Sequence, residues 1–211
     1  MNVRAQSLLN AAKWLQIQHG NDALVEVLKK CSPQTRERYT SALPIEWHPQ
    51  EELIEFIAAV EETIGDGSGQ TCIQIGASTA RLNLGGFVKK TVFYLANREY
   101  LFRRVTAFWK QFNDMGELRV LEYDDRKAML ELVGISNPNR YFCGLITGWS
   151  LEVSKTLGIK NPQSRHSSCQ GEHDDRCLWD IEWPGYSLDE SKLKKSQEVW
   201  KSRPPASQRR R

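Results

Sequence analysis

The sequence predicts an α+β fold, in which a helical N-terminal region precedes a four-stranded antiparallel sheet covered by helices. Two patterns support this prediction. Up to about residue 113, apolar side chains recur at spacings of three and four, which is typical of helices that bury one face. Beyond that residue the order becomes strand, strand, helix, strand, strand, and such an order indicates an α+β domain.

Helical segments fill the N-terminal half of the chain. The strongest begins at Pro49 and ends before Gly65, because proline suits a first helical turn and glycine suits a C-terminal cap. Gly20 separates two others. A further helix precedes the strands and has an apolar side that includes Phe108 and Phe112. The other helical or apolar segments are 7–19, 23–30, 71–84, 87–95 and 98–113.

The C-terminal half alternates strands with one helix. That helix begins near Asn139 and stops at Gly158. In the last strand Cys177, Trp179, Ile181 and Trp183 point to one side, because strand side chains alternate. The predicted strands are 118–123, 128–133, 166–170 and 176–183. A polar helix over 188–201 and a disordered basic tail follow, which gives three predicted regions: 1–66, 67–185 and 186–211.

Composition points to a cytoplasmic globular protein. The chain has 211 residues, of which 40% are hydrophobic and 26% are charged. It contains no membrane-length apolar run and no signal-peptide pattern at its N-terminus. The net charge of +3 comes from the tail, since 201–211 holds five basic residues and no acidic one. Nucleic-acid binding and membrane insertion are therefore not expected.

Four metal-ligating side chains fall in the last third of the chain: Cys143, His166, Cys169 and Cys177. Three thiolates and one imidazole match the tetrahedral N and S coordination that zinc prefers. Two strands joined by a turn around Gly171 bring the last three together, and the first turn of a helix favours a thiolate at Cys143. The alternative is that these are ordinary buried cysteines beside a chance histidine.

The segments 143–149 and 169–177 resemble the 4-vinyl reductase domain and the related sensor domains of aromatic-responsive bacterial activators. The shared features are a cysteine at a helix start, a Thr-Gly step, a Cys-x-Gly stretch and a second cysteine on an apolar strand. The resemblance implies a structural zinc ion, with His166 where relatives have a carboxylate. It also implies a dimer and a fold shared with trafficking-complex subunits.

The same resemblance implies a ligand pocket between the helix over 98–113 and the sheet. Five aromatic residues are candidates for its lining: Tyr94, Phe108, Phe112, Tyr123 and Trp149. For any single one of them, ordinary core packing is the favoured explanation. The chain has no histidine between His48 and His166, so binding of a phenol through a pocket histidine is not expected.

We therefore predict a non-enzymatic small-molecule sensor that acts through dimer or partner contacts. Trp179 and Trp183 are the candidate dimer surface, and a separate signalling partner is expected because no phosphate-binding loop or recognition helix is present. The alternatives are a ligand-free scaffold of the same fold and a reductase accessory enzyme. The enzyme is disfavoured because no catalytic motif is found.

Overall fold

The structure is a computed structural model and describes residues 1–84, 105–124, 126–156 and 159–184. The predictions for 87–95, 98–104, Gly158, 188–201 and the basic tail lie outside these residues. The helices are α1 (Ala5–Lys30), α2 (Pro33–Ser41), α3 (Gln50–Ile64), α4 (Gln70–Leu84), α5 (Val105–Phe112) and α6 (Arg140–Thr156). The strands are β1 (Asn2–Arg4), β2 (Trp47–Pro49), β3 (Glu117–Tyr123), β4 (Lys127–Val133), β5 (Gln163–Ser168) and β6 (Cys177–Glu182).

The four-stranded antiparallel sheet is confirmed. Its strand order is β3-β4-β6-β5, and every neighbouring pair runs antiparallel. The burial of β6 alternates as predicted, with Cys177, Trp179 and Ile181 buried. Strand β5 ends at Ser168, so Cys169 lies in the loop that follows and not on the strand, because a register shift after His166 ends the regular pairing.

Gly20 interrupts α1 as predicted, with a positive φ of 85° that glycine adopts without a Cβ clash. Helix α2 and the short β1–β2 pair were not predicted. Helix α2 contains few apolar residues, although Ser32 caps it and Pro33 begins it. The β1–β2 pair joins Val3 to His48 across 45 positions in the chain, which no local pattern shows.

The core runs through the whole described chain. Helix α1 packs on α3 and α4, and α4 packs along α6. Buried residues on both sides of position 66, such as Leu15, Phe56, Leu118 and Trp179, belong to one contiguous apolar cluster. Residues 1–66 thus share a hydrophobic core with the sheet. No helix among the described residues is long and apolar enough to cross a membrane.

Helices α4 and α6 meet backbone to backbone. A Cβ on Gly76 would overlap the carbonyl of Leu145, and a Cβ on Gly148 would overlap the carbonyl of Ile73. Glycine at these two positions therefore allows an approach that no other residue permits. This contact fixes α6 above the β5–β6 end of the sheet, where the functional residues converge.

Candidate functional site

Four side chains from three elements meet at the N-terminal end of α6. Cys143 lies in the first turn of α6, His166 on β5, Cys169 in the following loop and Cys177 at the start of β6. One ligand atom of each lies within 4.8 Å of the others. We call these four residues the thiol cluster. The antiparallel β5–β6 pair brings the last three together, and the packing of α6 adds the first.

The sulfur atoms of the thiol cluster are close and buried. Cys143 Sγ lies 3.7 Å from Cys177 Sγ and 3.9 Å from Cys169 Sγ. Cys143 and Cys177 have no exposed surface, and Cys169 is 4% exposed. All three are free thiols. Three thiols and one imidazole at such distances could ligate a metal ion or react with one another.

Backbone hydrogen bonds shape the loop around Cys169. The Cys169 N–H donates to Asp174 Oδ2 at 2.6 Å, and the Gln170 N–H donates to Cys177 Sγ at 3.3 Å. Gly171 lies against the start of α6, since a Cβ there would be 3.0 Å from the Arg140 nitrogen. The loop is thus held against both β6 and α6, which keeps Cys169 beside Cys143.

Trp179 packs against the thiol cluster and links two of its residues. Its ring stacks on His166 with a centroid distance of 4.5 Å and an interplanar angle of 13°. Its indole N–H donates to Thr147 Oγ1 at 2.9 Å, and Thr147 Oγ1 donates to the Cys143 carbonyl at 3.0 Å. This chain of contacts links the imidazole to the helix that carries Cys143.

The surroundings of the three thiols in the cluster shift their pKa values in different directions. A hydrogen bond from Cys143 lowers the pKa of Cys177 to about 4 against the opposing effect of burial, and His166 acts in the same direction as that bond. The same hydrogen bond, together with burial, raises the pKa of Cys143. Burial raises the pKa of Cys169. Within the Cys143–Cys177 pair, the hydrogen bond therefore favours the thiolate form of Cys177.

The other two cysteines lie apart from the cluster. Cys31 Sγ donates to the Val27 carbonyl at 3.4 Å, and burial raises its pKa to about 11. Burial, with the Glu61 carboxylate, raises the pKa of Cys72 to about 12. Both are ordinary buried thiols.

A polar groove of about 370 Å³ opens onto the cluster. Cys169 and His166 line one side of it, and Ser164, Arg140 and Glu172 also contribute. His166 Nε2 and Ser164 Oγ are buried atoms with no hydrogen-bond partner among the described residues. Such atoms are uncommon in folded proteins and are usually satisfied by an ordered water or an ion. The sequence reasoning missed this groove, because Arg140, Ser164 and Glu172 come from three separate segments.

A separate apolar cavity of about 90 Å³ lies between the helices and the sheet. Its walls come from α4, α5 and α6, from Leu118 on β3, and from Ser7 and Leu53. Of the predicted pocket residues, Phe108, Phe112 and Trp149 line this cavity. The sequence reasoning omitted Leu145 and Ile146, although the apolar stripe of α6 pointed to the second.

Two predicted pocket residues are not found there. Tyr123 is 43% exposed at the far end of β3 from Leu118, beyond a register shift between Val120 and Glu122. It does not line the cavity, because it pairs with Ala128 at the end of the β3–β4 ladder away from Leu118. Tyr94 lies outside the described residues.

The fold is similar to that of solved H-NOX structures. An H-NOX protein from S. oneidensis in the Fe(II)NO ligation state matches with a TM-score of 0.61 and 16% identity, over 86% of this chain and 99% of that one. A Cs H-NOX mutant with an unnatural amino acid matches with a TM-score of 0.63 and 16% identity, over 88% of this chain and 99% of that one. A structure from a study of haem distortion in the H-NOX family matches with a TM-score of 0.61 and 16% identity, over 88% of this chain and 97% of that one.

At this identity the similarity establishes an H-NOX-like fold and nothing further. No protein-family model and no curated protein matches the sequence. The resemblance to the 4-vinyl reductase family is therefore wrong: no family model supports it, and these full-length structural matches are H-NOX proteins. Zinc as the cofactor, which that resemblance implied, is wrong as well, because the matching structures are described with iron ligation and haem. Whether the thiol cluster ligates any metal stays a prediction.

The residues present do not fit a haem in the apolar cavity. Haem iron in proteins is held by His, Cys, Met or Tyr, and none of these occurs among the described residues that line the cavity. Segment 85–104, which lies outside the described residues, contains no His, Cys or Met but does contain Tyr94 and Tyr100. His48 lies on β2 and faces Glu46 at 3.6 Å, and His166 belongs to the thiol cluster. His19 and His173 are exposed.

Proposed function

We propose that this chain is a non-enzymatic sensor domain that binds a small apolar molecule in the cavity between its helices and sheet. The observation that carries the proposal is the cavity itself, which is walled by Phe108, Phe112, Trp149 and aliphatic side chains and is partly open at the edge of the apolar core. Cores normally contain few voids larger than a water molecule, so an apolar void of this size favours a ligand. The H-NOX-like fold supports a sensor role by analogy.

The size of the cavity limits the ligand. A volume of about 90 Å³ is smaller than the roughly 150 Å³ engineered cavity that holds benzene or xenon. The ligand is therefore an apolar molecule of a few heavy atoms, in the size range of dissolved gases. Asn113 donates to the Trp109 carbonyl and Asn83 accepts from Asn10, so these two wall residues already have partners. The ligand is recognised by shape, without a haem.

We propose that the sensor transmits ligand binding to a separate partner protein through surface contacts. A homodimer stays a prediction, but the strand face that was predicted to form it is not available. Trp179 and Trp183 are 0% and 4% exposed within a single chain, so they pack in the core and offer no dimer surface. Any dimer must use another part of the surface.

Xenon is the probe that tests the cavity. A ligand that binds only the folded state raises the melting temperature, and the rise grows with the ratio of its concentration to its Kd. We expect xenon pressure to raise the melting temperature of the wild-type protein. Thr79→Leu should abolish this response while keeping the fold, because Thr79 lines the cavity and leucine fills it. Thr71→Leu is the matched control, since Thr71 lies on the same helix away from the cavity and should leave the response intact.

The scaffold alternative predicts a different result. If the core is filled in solution, as the scaffold alternative requires, the wild-type protein shows no xenon response. Thr79→Leu then acts by packing alone, and overpacking costs roughly 1–3 kcal/mol of unfolding free energy. A wild-type melting curve that xenon leaves unchanged contradicts the sensor proposal and leaves the scaffold.

A further inference from the structure

His48 is a buried titratable side chain that lines neither the polar groove nor the apolar cavity. It lies in the middle of β2, opposite Val3 of β1, and is 7% exposed. Its Nε2 has no hydrogen-bond partner among the described residues, since Glu46 Oε2 lies 3.6 Å away. Gln50, which is fully buried, has both side-chain amide atoms in the same condition. Such atoms favour an opening of this segment, because water then satisfies them.

Three charged side chains act on His48 from the elements around it: Arg38 on α2, Glu52 on α3 and Glu46 in the loop before β2. Arg38 Nε binds Glu52 Oε2 at 3.0 Å, and Glu46 Oε2 accepts from the Leu43 N–H at 3.0 Å. Both carboxylates therefore already have donors. Burial lowers the pKa of His48 below its ordinary value of 6.5, and Arg38 acts in the same direction. The two carboxylates oppose this shift without reversing it.

Strand β1 joins His48 to a distant part of the chain. The Asn2 N–H and Nδ2 donate to the Asp114 carboxylate at 2.7 Å and 2.8 Å. Val3, which is opposite His48 on one side, forms a bridge with Asn113 on the other. The strand thus ties the start of α3 to the segment that follows α5.

Two cations lie on β1 or next to it, and both have partners of their own. Arg4 Nε donates to the Gln111 carbonyl at 3.3 Å, and the Met1 ammonium donates to Ser136 Oγ at 3.0 Å. An α-amino group has an ordinary pKa of about 7.7–8.0, and carboxyl groups titrate near 4. Among the groups around β1, His48 is therefore the one with an ordinary pKa between pH 5 and pH 7.

We propose that His48 is a pH-sensitive switch for the N-terminal strand, in which protonation of the imidazole releases β1 from β2. The neutral ring is compatible with burial, whereas the cation needs acceptors and reaches them by moving into water. Because His48 is paired with Val3, this movement breaks the β1–β2 pairing. Folding lowers the pKa, so the buried neutral ring stabilises the pair above pH 6.5. That contribution is lost as the pH falls through the folded pKa.

Release of β1 also affects the apolar cavity. Asn113 lines that cavity and is held by its bridge to Val3. Acid conditions therefore free one residue of the cavity wall. This consequence rests on the proposed ligand site, whereas the release of β1 does not.

Hydrogen exchange of the full chain, followed by NMR, tests the switch. The amides of Ala5 and Gln50 donate across the pair at 2.9 Å and 3.0 Å, one on each side of His48. Their protection factors should fall between pH 7 and pH 5, by up to about tenfold per pH unit below 6.5. The Gly65 amide at the other end of α3 should keep its protection, because only β1 is released.

His48→Gln removes the titrating group and keeps a polar side chain. In this variant the protection of Ala5 and Gln50 should be the same at pH 7 and pH 5. His19→Gln is the matched control, since His19 is exposed on α1 and should leave the pH dependence of the wild type intact. In the wild-type protein the imidazole resonance of His48 should titrate below pH 6.5, together with the loss of protection. This measurement needs no variant to fold.

Three results would overturn the proposal. Equal protection of Ala5 and Gln50 at pH 7 and pH 5 in the wild-type protein shows that β1 is not released. An unchanged pH dependence in His48→Gln assigns the effect to another group. A midpoint for His48 above pH 6.5 shows that the fold accommodates the charged ring. The xenon response at pH 7 tests the cavity separately, so the two proposals can fail independently.

Discussion

Single side chains act in this molecule mainly through buried hydrogen bonds. Thr147 shows this most clearly, since its hydroxyl accepts from the indole of Trp179 and donates to the carbonyl of Cys143. Glu55 has a comparable role at the other end of the fold. Its carboxylate accepts from Ser32 N–H at 2.8 Å, from Ser32 Oγ at 2.9 Å and from Thr35 Oγ1. These bonds tie the start of α2 to α3, and a buried group that loses its partner costs roughly 1–3 kcal/mol.

Glu55 makes the stability depend on pH in the acid range. Burial opposes its ionisation, yet the hydrogen bonds from Thr35 and Ser32 hold its pKa below the ordinary value of 4.5. A carboxyl whose pKa is lowered by folding stabilises the protein above its unfolded pKa, and this contribution is lost as the pH falls through the folded value. Glu55→Gln should therefore lower the unfolding free energy on the order of 1 kcal/mol at pH 7.

Urea unfolding of wild type and Glu55→Gln at several pH values checks this. The difference between the two should be constant well above pH 4.5 and shrink below it. Glu62→Gln on the same helix is the control, because its ion pair with Lys30 is exposed and 3.6 Å long. A difference between wild type and Glu55→Gln that persists unchanged at pH 3 would refute the role of the charge.

Among the elements, α6 has the central position. One end of it carries Cys143, its middle lines the apolar cavity, and its glycines meet the backbone of α4. Interfaces as tight as this one are poorly deformable, so a shift at one end is passed along the helix pair. The α4–α6 pair thus contacts both the thiol cluster and the apolar cavity.

Gly148→Ala tests the tightness of this pair. The new Cβ would overlap the carbonyl of Ile73 and lie 2.8 Å from the Ala77 nitrogen, so the two helices must separate. We expect a loss of roughly 1–3 kcal/mol in unfolding free energy, although alanine favours a helix by about 1 kcal/mol. Lys155→Ala on the exposed face of α6 should change it by less than about 0.5 kcal/mol. Chemical denaturation measures both, and equal effects would disprove the close contact.

At the scale of the whole molecule, the fold resembles that of H-NOX proteins, whereas the described side chains around the cavity do not match a haem site. The backbone is similar to H-NOX structures over 86–88% of the chain, including one described in an Fe(II)NO state. The cavity between helices and sheet nevertheless contains no haem-ligating residue type among its described walls. Function depends on the site that a fold carries and not on the fold alone.

The whole protein should therefore not bind haem in a defined way. Titration of the purified protein with haem should produce no saturable Soret band at equimolar ratio, since none of the described residues that line the cavity is of a type that ligates haem iron. The same protein expressed with a haem precursor should be colourless. A saturable spectrum that disappears in His48→Ala or Tyr94→Phe would contradict this expectation and identify the ligand.

The sequence by itself determined the features that depend on local pattern. The spacing of apolar residues predicted helices α3 and α6. The alternation of apolar residues predicted strand β6, with Cys177 and Trp179 facing inward. A glycine predicted the break in α1. These succeed because period and turn chemistry act over a few residues. The four residues of the thiol cluster were also chosen from spacing and residue type, and they lie together.

Only the tertiary structure decided how these pieces combine. Helix α2 and the β1–β2 pair depend on contacts between distant segments, and Tyr123 is exposed although its cross-strand partner Ala128 is buried. The strand face that suggested a dimer is covered by α6 of the same chain, as the Trp179–Thr147 hydrogen bond shows. The sequence similarity to the 4-vinyl reductase family rested on short segments around cysteines. Such segments can recur on different folds, because cysteine and glycine spacing constrains a loop and not the order of the elements around it.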